Sequence, residues 1–524
     1  MNDRTRLQNL LGASLDSRPD ALAIRFGSHD LSFTALDRDV RRLATGLRRE
    51  GVRRGDRVAL FLPNCPEAVM ATLACYQLGA IAVPLNYRYL APETRNVLER
   101  VEATLLIHHV DRAPVVATLG DTIEPARCFR VASAPEDSGT TPSAIAATSS
   151  AGRLFAHEPL AQPEELDEED PALILFTSGS TGPPKGVVHT HGSAFAGIDI
   201  SRRITEVDPH DTVLVGKPIS HAGGLETQLM PTLLVGGAVV LAMKPTPAEA
   251  VSLIRSSSVT QYALMASDLL DFIEHLEQHP TRIDTLENGI GSGDVVPTEL
   301  HHRFRDLFGW EVMEGCGMTE LGTYYAMNPR HGERRWGSLG LPCPDMQIQI
   351  LGDDGESARA GEVGEIALRS PASTIGYWKE ASATEELLRD GWLHTGDLGH
   401  FDADGYLWLF GRKKLIIVRR GSNITPTEVE NVIDLHPRVH ASVVVGLPDA
   451  RDGHVPVALV ALTEGSERLD EDALRSFVSE RLAAYKTPVR YVFLSELPRN
   501  STGKFDRHRL EQIARDALGG STSS

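Results

Sequence analysis

Apolar and polar positions along this chain fall into blocks that predict strand and helix in turn. Val58 to Leu62 is a short apolar run, Pro66 opens a helix with Val69, Met70 and Leu73 among its apolar positions, and Ile81 to Leu85 is apolar again. That order predicts a βαβ unit. It recurs at Glu93 to Val101 followed by Thr104 to His108, and at Ala248 to Arg255 followed by Val259 to Leu264, so the larger part of the chain reads as α/β with largely parallel sheets. From Met346 the period changes. MQIQIL and GEIALRS alternate around a GDDG turn, and YLWLF follows DADG, which predicts antiparallel hairpins in a β-rich subdomain at about 337–411. After GRKKL a new unit begins. Thr425 and Glu428 are spaced as a capping box, and Pro426 takes the first position of a helix running through Ile433. Strands at Ala441 to Leu447 and Val455 to Leu462, a helix carrying Leu474, Phe477, Val478 and Leu482, and a strand at Arg490 to Leu494 complete an α+β domain. The expected division is a large domain at 1–413 and a small one at 414–524.

Between about Val131 and Gln162 the composition turns to Ala, Ser, Thr and Pro, which predicts a surface excursion, and the acidic run Glu164 to Asp170 reads as a solvated face rather than a metal site. A length of 524 residues exceeds what one core organises, and 41% hydrophobic with 23% charged residues is ordinary for a folded soluble protein. The formal charge of -19 repels phosphate backbones, so nucleic acid is not an expected partner. Five scattered cysteines without CxxC spacing argue against disulfides or zinc and for a reducing cytoplasm. The N-terminal stretch holds no apolar run of signal-peptide length, and Leu233 to Met243 is too short and glycine-interrupted to span a bilayer, so neither secretion nor membrane insertion is expected.

The strand Ala172 to Phe176 runs into TSGSTGPPKG, Thr177 to Gly186, where glycines alternate with hydroxyl residues and one lysine follows. Such a loop wraps phosphates. Glycines let backbone N–H groups approach an anion, hydroxyls donate further hydrogen bonds, and Lys185 supplies a mobile positive charge. It is not a Walker loop, because GPPK replaces Gly-Lys and no Ser or Thr follows the lysine.

This loop resembles the phosphate-binding signature of the adenylate-forming superfamily of acyl-CoA synthetases, peptide-synthetase adenylation domains and luciferases, with the acyl-CoA synthetases nearest. Six further matches follow in family order: GAIAVPLN (Gly79 to Asn86), GCGMTE (Gly315 to Glu320), GEVGEI (Gly361 to Ile366), GWLHTGDLG (Gly391 to Gly399), GRKKLIIVRRGSNITPTEVE (Gly411 to Glu430) and PRNSTGK (Pro498 to Lys504). The resemblance implies a large domain with two α/β sheets and a β-rich subdomain, and a mobile α+β C-terminal domain. It also implies that ATP activates a carboxylic acid as acyl-AMP with release of pyrophosphate, and that the acyl group then passes to coenzyme A. Thr177, Ser178, Gly179, Ser180, Thr181 and Lys185 are implied to cradle phosphate, and Gly293, Asp294, Gly315, Cys316, Gly317 and Met318 to line the nucleotide site. Thr319 is implied to touch phosphate and Glu320 to hold Mg2+, a hard cation suited to carboxylate and triphosphate oxygens. Asp397 matches the aspartate that takes both ribose hydroxyls, with Arg412 assisting, and Lys504 matches the lysine that bridges the carboxylate and the α-phosphate. His221, Gly223 and Gly291 are implied to border the acyl pocket. Lys414 matches the hinge, and Arg420 and Gly421 face coenzyme A.

Three positions depart from the family pattern. Cys316 stands where an aromatic ring stacks on adenine, Leu415 replaces the acidic residue after the hinge, and Arg420 replaces the first glycine of a pair facing the thiol tunnel. The thioester step is therefore less firmly implied than adenylation, and an enzyme that hands acyl-AMP to another enzyme or loads a carrier-protein thiol is the rival reading. A non-catalytic nucleotide or acyl sensor is the remaining one; it predicts damage at Lys185, Glu320, Asp397 or Lys504, and all four are intact. The acyl pocket is expected near His221 to Gln228, Tyr262 to Ser267 and Ile290 to Gly293. Only Glu226 offers an acidic partner between Val213 and Met230, so an uncharged fatty, alicyclic or aromatic acid is expected over a free amino acid. A homodimer is an open assembly.

Overall fold

In the computed structural model, which describes residues 7–132, 150–177, 184–292, 296–352, 354–359, 361–420, 422–449, 451–463, 465, 469–500 and 504–519, contacts divide the chain into two units. One comprises 1–177, 185–347 and 368–393, and the other 178–184, 348–367 and 394–524.

The first unit is α/β around two sheets. The βαβ unit read from the sequence forms: Arg57–Phe61 and Ile81–Pro84 pair in parallel, Val58 opposite Ala82, with the helix Pro66–Leu78 between them. Pro66 starts that helix, and Gly79, in the left-handed region at φ 66°, ends it by donating its N–H to the Cys75 carbonyl. Every residue of the helix is buried, so it is packed on all sides rather than on one apolar face. The seven-stranded sheet runs in the order Gly376–Tyr377, Gly186–Thr190, Pro171–Phe176, Ile81–Pro84, Arg57–Phe61, Leu105–His109, Cys128–Val131. In the nine-stranded sheet, Met313–Met318, Asn288–Ser292, Gln261–Met265, Thr212–Val215 and Ala238–Leu241 lie side by side in parallel. Their C-terminal ends therefore share one edge, where an open α/β sheet places its ligands. The segments that begin at His221, Ala266 and Thr319 all leave from that edge.

The excursion from Val131 returns to the core in its described part. Ala151 and Leu154 are fully buried, and the helix Phe33–Arg49 makes room at Gly46, where an added Cβ would lie 2.0 Å from the Leu154 carbonyl oxygen. The glycine lets two backbones touch, which composition alone did not reveal. The acidic run after it is tied down by arginines: Arg54 bridges Asp167 and Asp170, and Arg48 pairs with Glu164.

In the second unit, His394 to Phe401 pairs antiparallel with Leu407–Arg412. A separate sheet orders Ser422–Ile424, Ile417–Arg419, Gly453–Leu462 and Val439–Asp449, and Arg490–Leu494 adds in parallel to Gly453–Leu462. The helix Pro426–Asp434 starts where the sequence placed it, but the capping box does not form. The buried Thr425 hydroxyl has no partner among the described residues, and Glu428 instead accepts from the Lys486 ammonium at 2.7 Å, where an opposite charge meets the carboxylate.

Candidate functional site

In the first unit, Phe176 and Gly186 pair as the last residues of an antiparallel ladder, and just beyond them the Thr177 N–H donates to the Lys185 carbonyl at 3.0 Å. The mouth of the phosphate-loop candidate is thus pinned to a rigid edge. Ser178, Gly179, Ser180 and Thr181 lie outside the described residues, as do Gly293, Asp294 and Gly421. Lys185 Nζ stands 4.7 Å from the centre of the Tyr377 ring, and the Tyr377 hydroxyl donates to Glu320 Oε1 at 2.8 Å. The only signal for Tyr377 in the sequence is its place in an otherwise unremarked GYW segment. Tyr377 therefore links the loop lysine to the candidate metal carboxylate, although it lies 57 residues from Glu320. The Glu320 carbonyl receives the Thr374 N–H at 2.8 Å, and the Thr319 carbonyl accepts from His189 Nε2 at 2.7 Å. His189 is fully buried, and desolvation pushes its pKa down to about 4, so at neutral pH it stays neutral and donates to that carbonyl.

Gly315, Cys316, Gly317 and Met318 form the end of the strand Met313–Met318, whose antiparallel pairing with Thr323–Met327 shifts register between Cys316 and Gly317. The bulge turns the chain toward Thr319. Gly317 has no alternative there, because a Cβ would sit 2.5 Å from the Thr323 carbonyl oxygen. Cys316 is half-buried.

On the acyl side, His221 is half-buried and precedes the short helix Ala222–Gly224, which runs into a π-helical turn at Leu225–Leu229. Gly223 has room for a side chain: an added Cβ would meet Lys217 Cδ at 3.9 Å, an ordinary contact distance. Gly291 is different, since its missing side chain is replaced by Val296, whose Cγ2 would lie 2.6 Å from a Cβ. The three expected segments do converge. Thr227, Gln228, Tyr262, Ala263 and Ile290 line a cavity of about 10 Å³, room for one water and far less than an acyl group needs. Nearby, Lys217 is buried, and desolvation lowers its pKa to about 8 against the opposing charge of Asp268. The buried Asn64 amide fixes that segment, donating to the Val215, Lys217 and Ala242 carbonyls and accepting from the Ile219 N–H. Neither Lys217 nor Asn64 belongs to a motif.

In the second unit, Asp397 and Arg412 face each other in register, and Arg412 Nε approaches Asp397 Oδ1 at 2.8 Å. Burial raises the Asp397 pKa, opposed first by Arg412 and then by the charge of Lys504, so all three candidates share one locality. Lys504 is exposed on a turn closed by Asn500, whose N–H donates to the Lys504 carbonyl at 2.8 Å. Lys414 sits in the exposed 3-10 turn Lys413–Leu415, between Leu407–Arg412 and Ile417–Arg419. Arg420 adopts the left-handed φ of 49° and is held by Asp452, whose carboxylate accepts from Arg420 Nε at 2.7 Å and Arg419 Nε at 2.9 Å. These residues line a surface cavity of about 300 Å³.

Among the described residues no group of three or more His, Cys, Asp or Glu gathers as a metal cage. Glu320, with one oxygen bound by Tyr377, fits the alternative in which Mg2+ takes one protein carboxylate and completes its shell with phosphate oxygens and water. Among the described residues no helix is long and apolar enough to cross a membrane.

The chain matches the AMP-binding enzyme family over residues 12–378 and the AMP-binding enzyme C-terminal domain over residues 428–504. It is 36% identical over 489 residues to a feruloyl-CoA synthase of Amycolatopsis sp., covering 93% of this chain and 94% of that protein. It is 33% identical over 500 residues to an indoleacetate–CoA ligase of Aromatoleum aromaticum, covering 94% and 95%. The fold superimposes on the crystal structure of ATP-bound MatB from Rhodopseudomonas palustris with a TM-score of 0.89 at 26% identity, covering 97% of this chain and 99% of that one.

Proposed function

We propose, from the premise that this chain belongs to the AMP-binding enzyme family, that it is an AMP-forming acid–thiol ligase acting on an aromatic carboxylic acid. It activates a carboxylic acid with ATP: the carboxylate attacks the α-phosphorus, pyrophosphate leaves, and acyl-AMP forms. The thiolate of coenzyme A then attacks the acyl carbonyl and AMP leaves, giving acyl-CoA. The aromatic assignment is supported by the relatives named for feruloyl-CoA and indoleacetate. The five cysteines are free thiols, which suits a cytoplasmic enzyme.

The observation that carries the reading is the Lys185–Tyr377–Glu320 chain of contacts at the mouth of the phosphate loop. In this assignment Lys185 and the loop amides hold the phosphates, Thr319 contacts phosphate, and Glu320 is the carboxylate that would hold Mg2+. A bound Mg2+ would neutralise developing charge on the phosphate oxygens. Asp397 and Arg412 take the ribose, and Lys504 stabilises charge at the α-phosphate during adenylation. Lys414 serves as hinge for the exchange between half-reactions, and Arg420 and Gly421 face the thiol. The test is pyrophosphate release across a panel of carboxylic acids, with coenzyme A and a phosphopantetheinyl carrier protein compared as acceptors by mass spectrometry. Acyl-AMP without acyl-CoA would reject the ligase assignment, and carrier loading in preference to coenzyme A would replace it.

A further inference from the structure

Glu226 is completely buried, and neither of its carboxyl oxygens has a hydrogen-bond partner among the described residues. Such a group is rare in a folded chain, because burial strips its water and returns nothing. Its position is specific. Glu226 lies on the π-helical turn that follows His221, and π turns inside helices recur where a side chain has been re-aimed for function. Its carboxyl abuts Gly322, two residues past Glu320: a Cβ at Gly322 would meet Glu226 Oε2 at 2.7 Å. Glu226 thus stands between the His221 wall and the loop carrying Thr319 and Glu320.

A second buried orphan lies near it. The Tyr76 hydroxyl, on the helix Pro66–Leu78, is fully buried and also has no partner among the described residues. Burial pushes both groups up, the Glu226 carboxyl well above the usual carboxylate range, and the Glu226 charge is the next cause of the rise at Tyr76. Both are therefore held neutral, each able to donate and to accept. An ammonium has no acceptor to offer the Tyr76 hydroxyl, and an aliphatic or plain aromatic tail offers nothing to either group. A hydroxyl offers both a donor and an acceptor.

We infer that Glu226 is a specificity residue whose carboxyl hydrogen-bonds a hydroxyl on the tail of the acid substrate, so that the substrate class is a hydroxylated aromatic acid. The inference rests on the acid-activating reading above. Its test is pyrophosphate release, measured without coenzyme A, for cinnamate and phenylacetate against their 2-, 3- and 4-hydroxy derivatives. At least one hydroxylated isomer should exceed its parent in kcat/KM by about tenfold or more, since a site with unpaired polar groups discriminates strongly against an analogue that cannot pair them. Glu226→Leu should bring that ratio to about one, and Glu226→Gln, which still donates and accepts, should keep most of it. A wild-type enzyme that activates parents and hydroxylated acids equally would overturn the inference, as would a Glu226→Leu variant with an unchanged ratio. Absence of pyrophosphate release with every acid would instead overturn the acid-activating reading and this inference with it. A melting temperature for Glu226→Leu at or above that of the wild type is also expected, because no partner is lost; a large fall would assign the carboxyl a structural role.

Discussion

Replacing Tyr377 by Phe removes one oxygen from the centre of the candidate site. That hydroxyl donates to Glu320 Oε1 at 2.8 Å, and the ring it leaves behind still lies 4.7 Å from Lys185 Nζ. A hydrogen bond to a charged acceptor contributes about 1.5–3 kcal/mol, and because Tyr377 and Glu320 are each half-buried the lower end applies, which corresponds to roughly tenfold in rate. Tyr377→Ala also removes the ring beneath the lysine, worth about 0.5–1 kcal/mol at a partly exposed site, so a further loss of roughly twofold to fivefold is expected. The assay is the initial rate of pyrophosphate release as Mg2+ and ATP are varied at saturating acid. Tyr377→Phe should raise the Mg2+ concentration needed for half-maximal rate, because Glu320 is then no longer held in one orientation. Wild-type kcat/KM for Tyr377→Phe at every Mg2+ concentration would refute the reasoning. Equal losses in the Phe and Ala variants would show that Lys185 gains nothing from the ring.

Lys504→Ala should slow adenylation on the order of a hundredfold or more with the fold intact, read as pyrophosphate release beside an unchanged circular dichroism spectrum; near-normal release contradicts its role at the α-phosphate. Lys414→Pro should impair acyl-CoA formation more than pyrophosphate release, and equal loss in both half-reactions rejects the hinge. Glu67 supplies a stability test. Its carboxyl is buried and desolvation raises its pKa from 4.5 to about 7, so between those values the folded chain holds a proton that the unfolded chain has lost. Stability from this group therefore falls as pH rises through that window. Glu67→Gln should gain up to about 3 kcal/mol over the wild type above pH 7 and nothing near pH 4.5, read as melting temperatures at pH 5 and pH 8. A gain independent of pH would place its cause outside the titration.

The α/β fold was legible because the βαβ units repeat their local signals: Pro66 at a helix start and apolar runs of strand length on either side. The loop at Thr177 and the GCGMTE strand end were legible as motifs because each is contiguous. Tyr377 was not, since its role arises from a meeting across 57 positions, and nothing in its neighbourhood marks a hydroxyl aimed at Glu320. Asn64 escaped for the same reason, holding the Lys217 segment from 151 to 155 positions away. Thr425 and Glu428 show the converse failure. Their spacing is right for a capping box, yet Lys486, 58 positions on, captures the carboxylate, and the Thr425 hydroxyl has no partner among the described residues. Local spacing states what a segment can do alone, and a charged partner from elsewhere changes the outcome.

Arg420 shows how a departure from a family pattern is absorbed. Its φ of 49° is the conformation a glycine adopts freely, and a residue with a Cβ gives up about 1–2 kcal/mol there. The turn nevertheless keeps that geometry, because Arg420 N–H donates to the Asp452 carbonyl at 2.9 Å while its side chain and that of Arg419 grip the two oxygens of the same carboxylate. The substitution is therefore compensated locally by a charge pair that a glycine would not make. What changes is the surface: a guanidinium fixed by Asp452 now lines the cavity beside the turn, with Arg451 on the same wall. In the assignment proposed above, Arg420 would act on the thioester step through its charge, since a fixed cation beside a thiol-facing turn favours an anionic thiol carrier and the thiolate form that attacks.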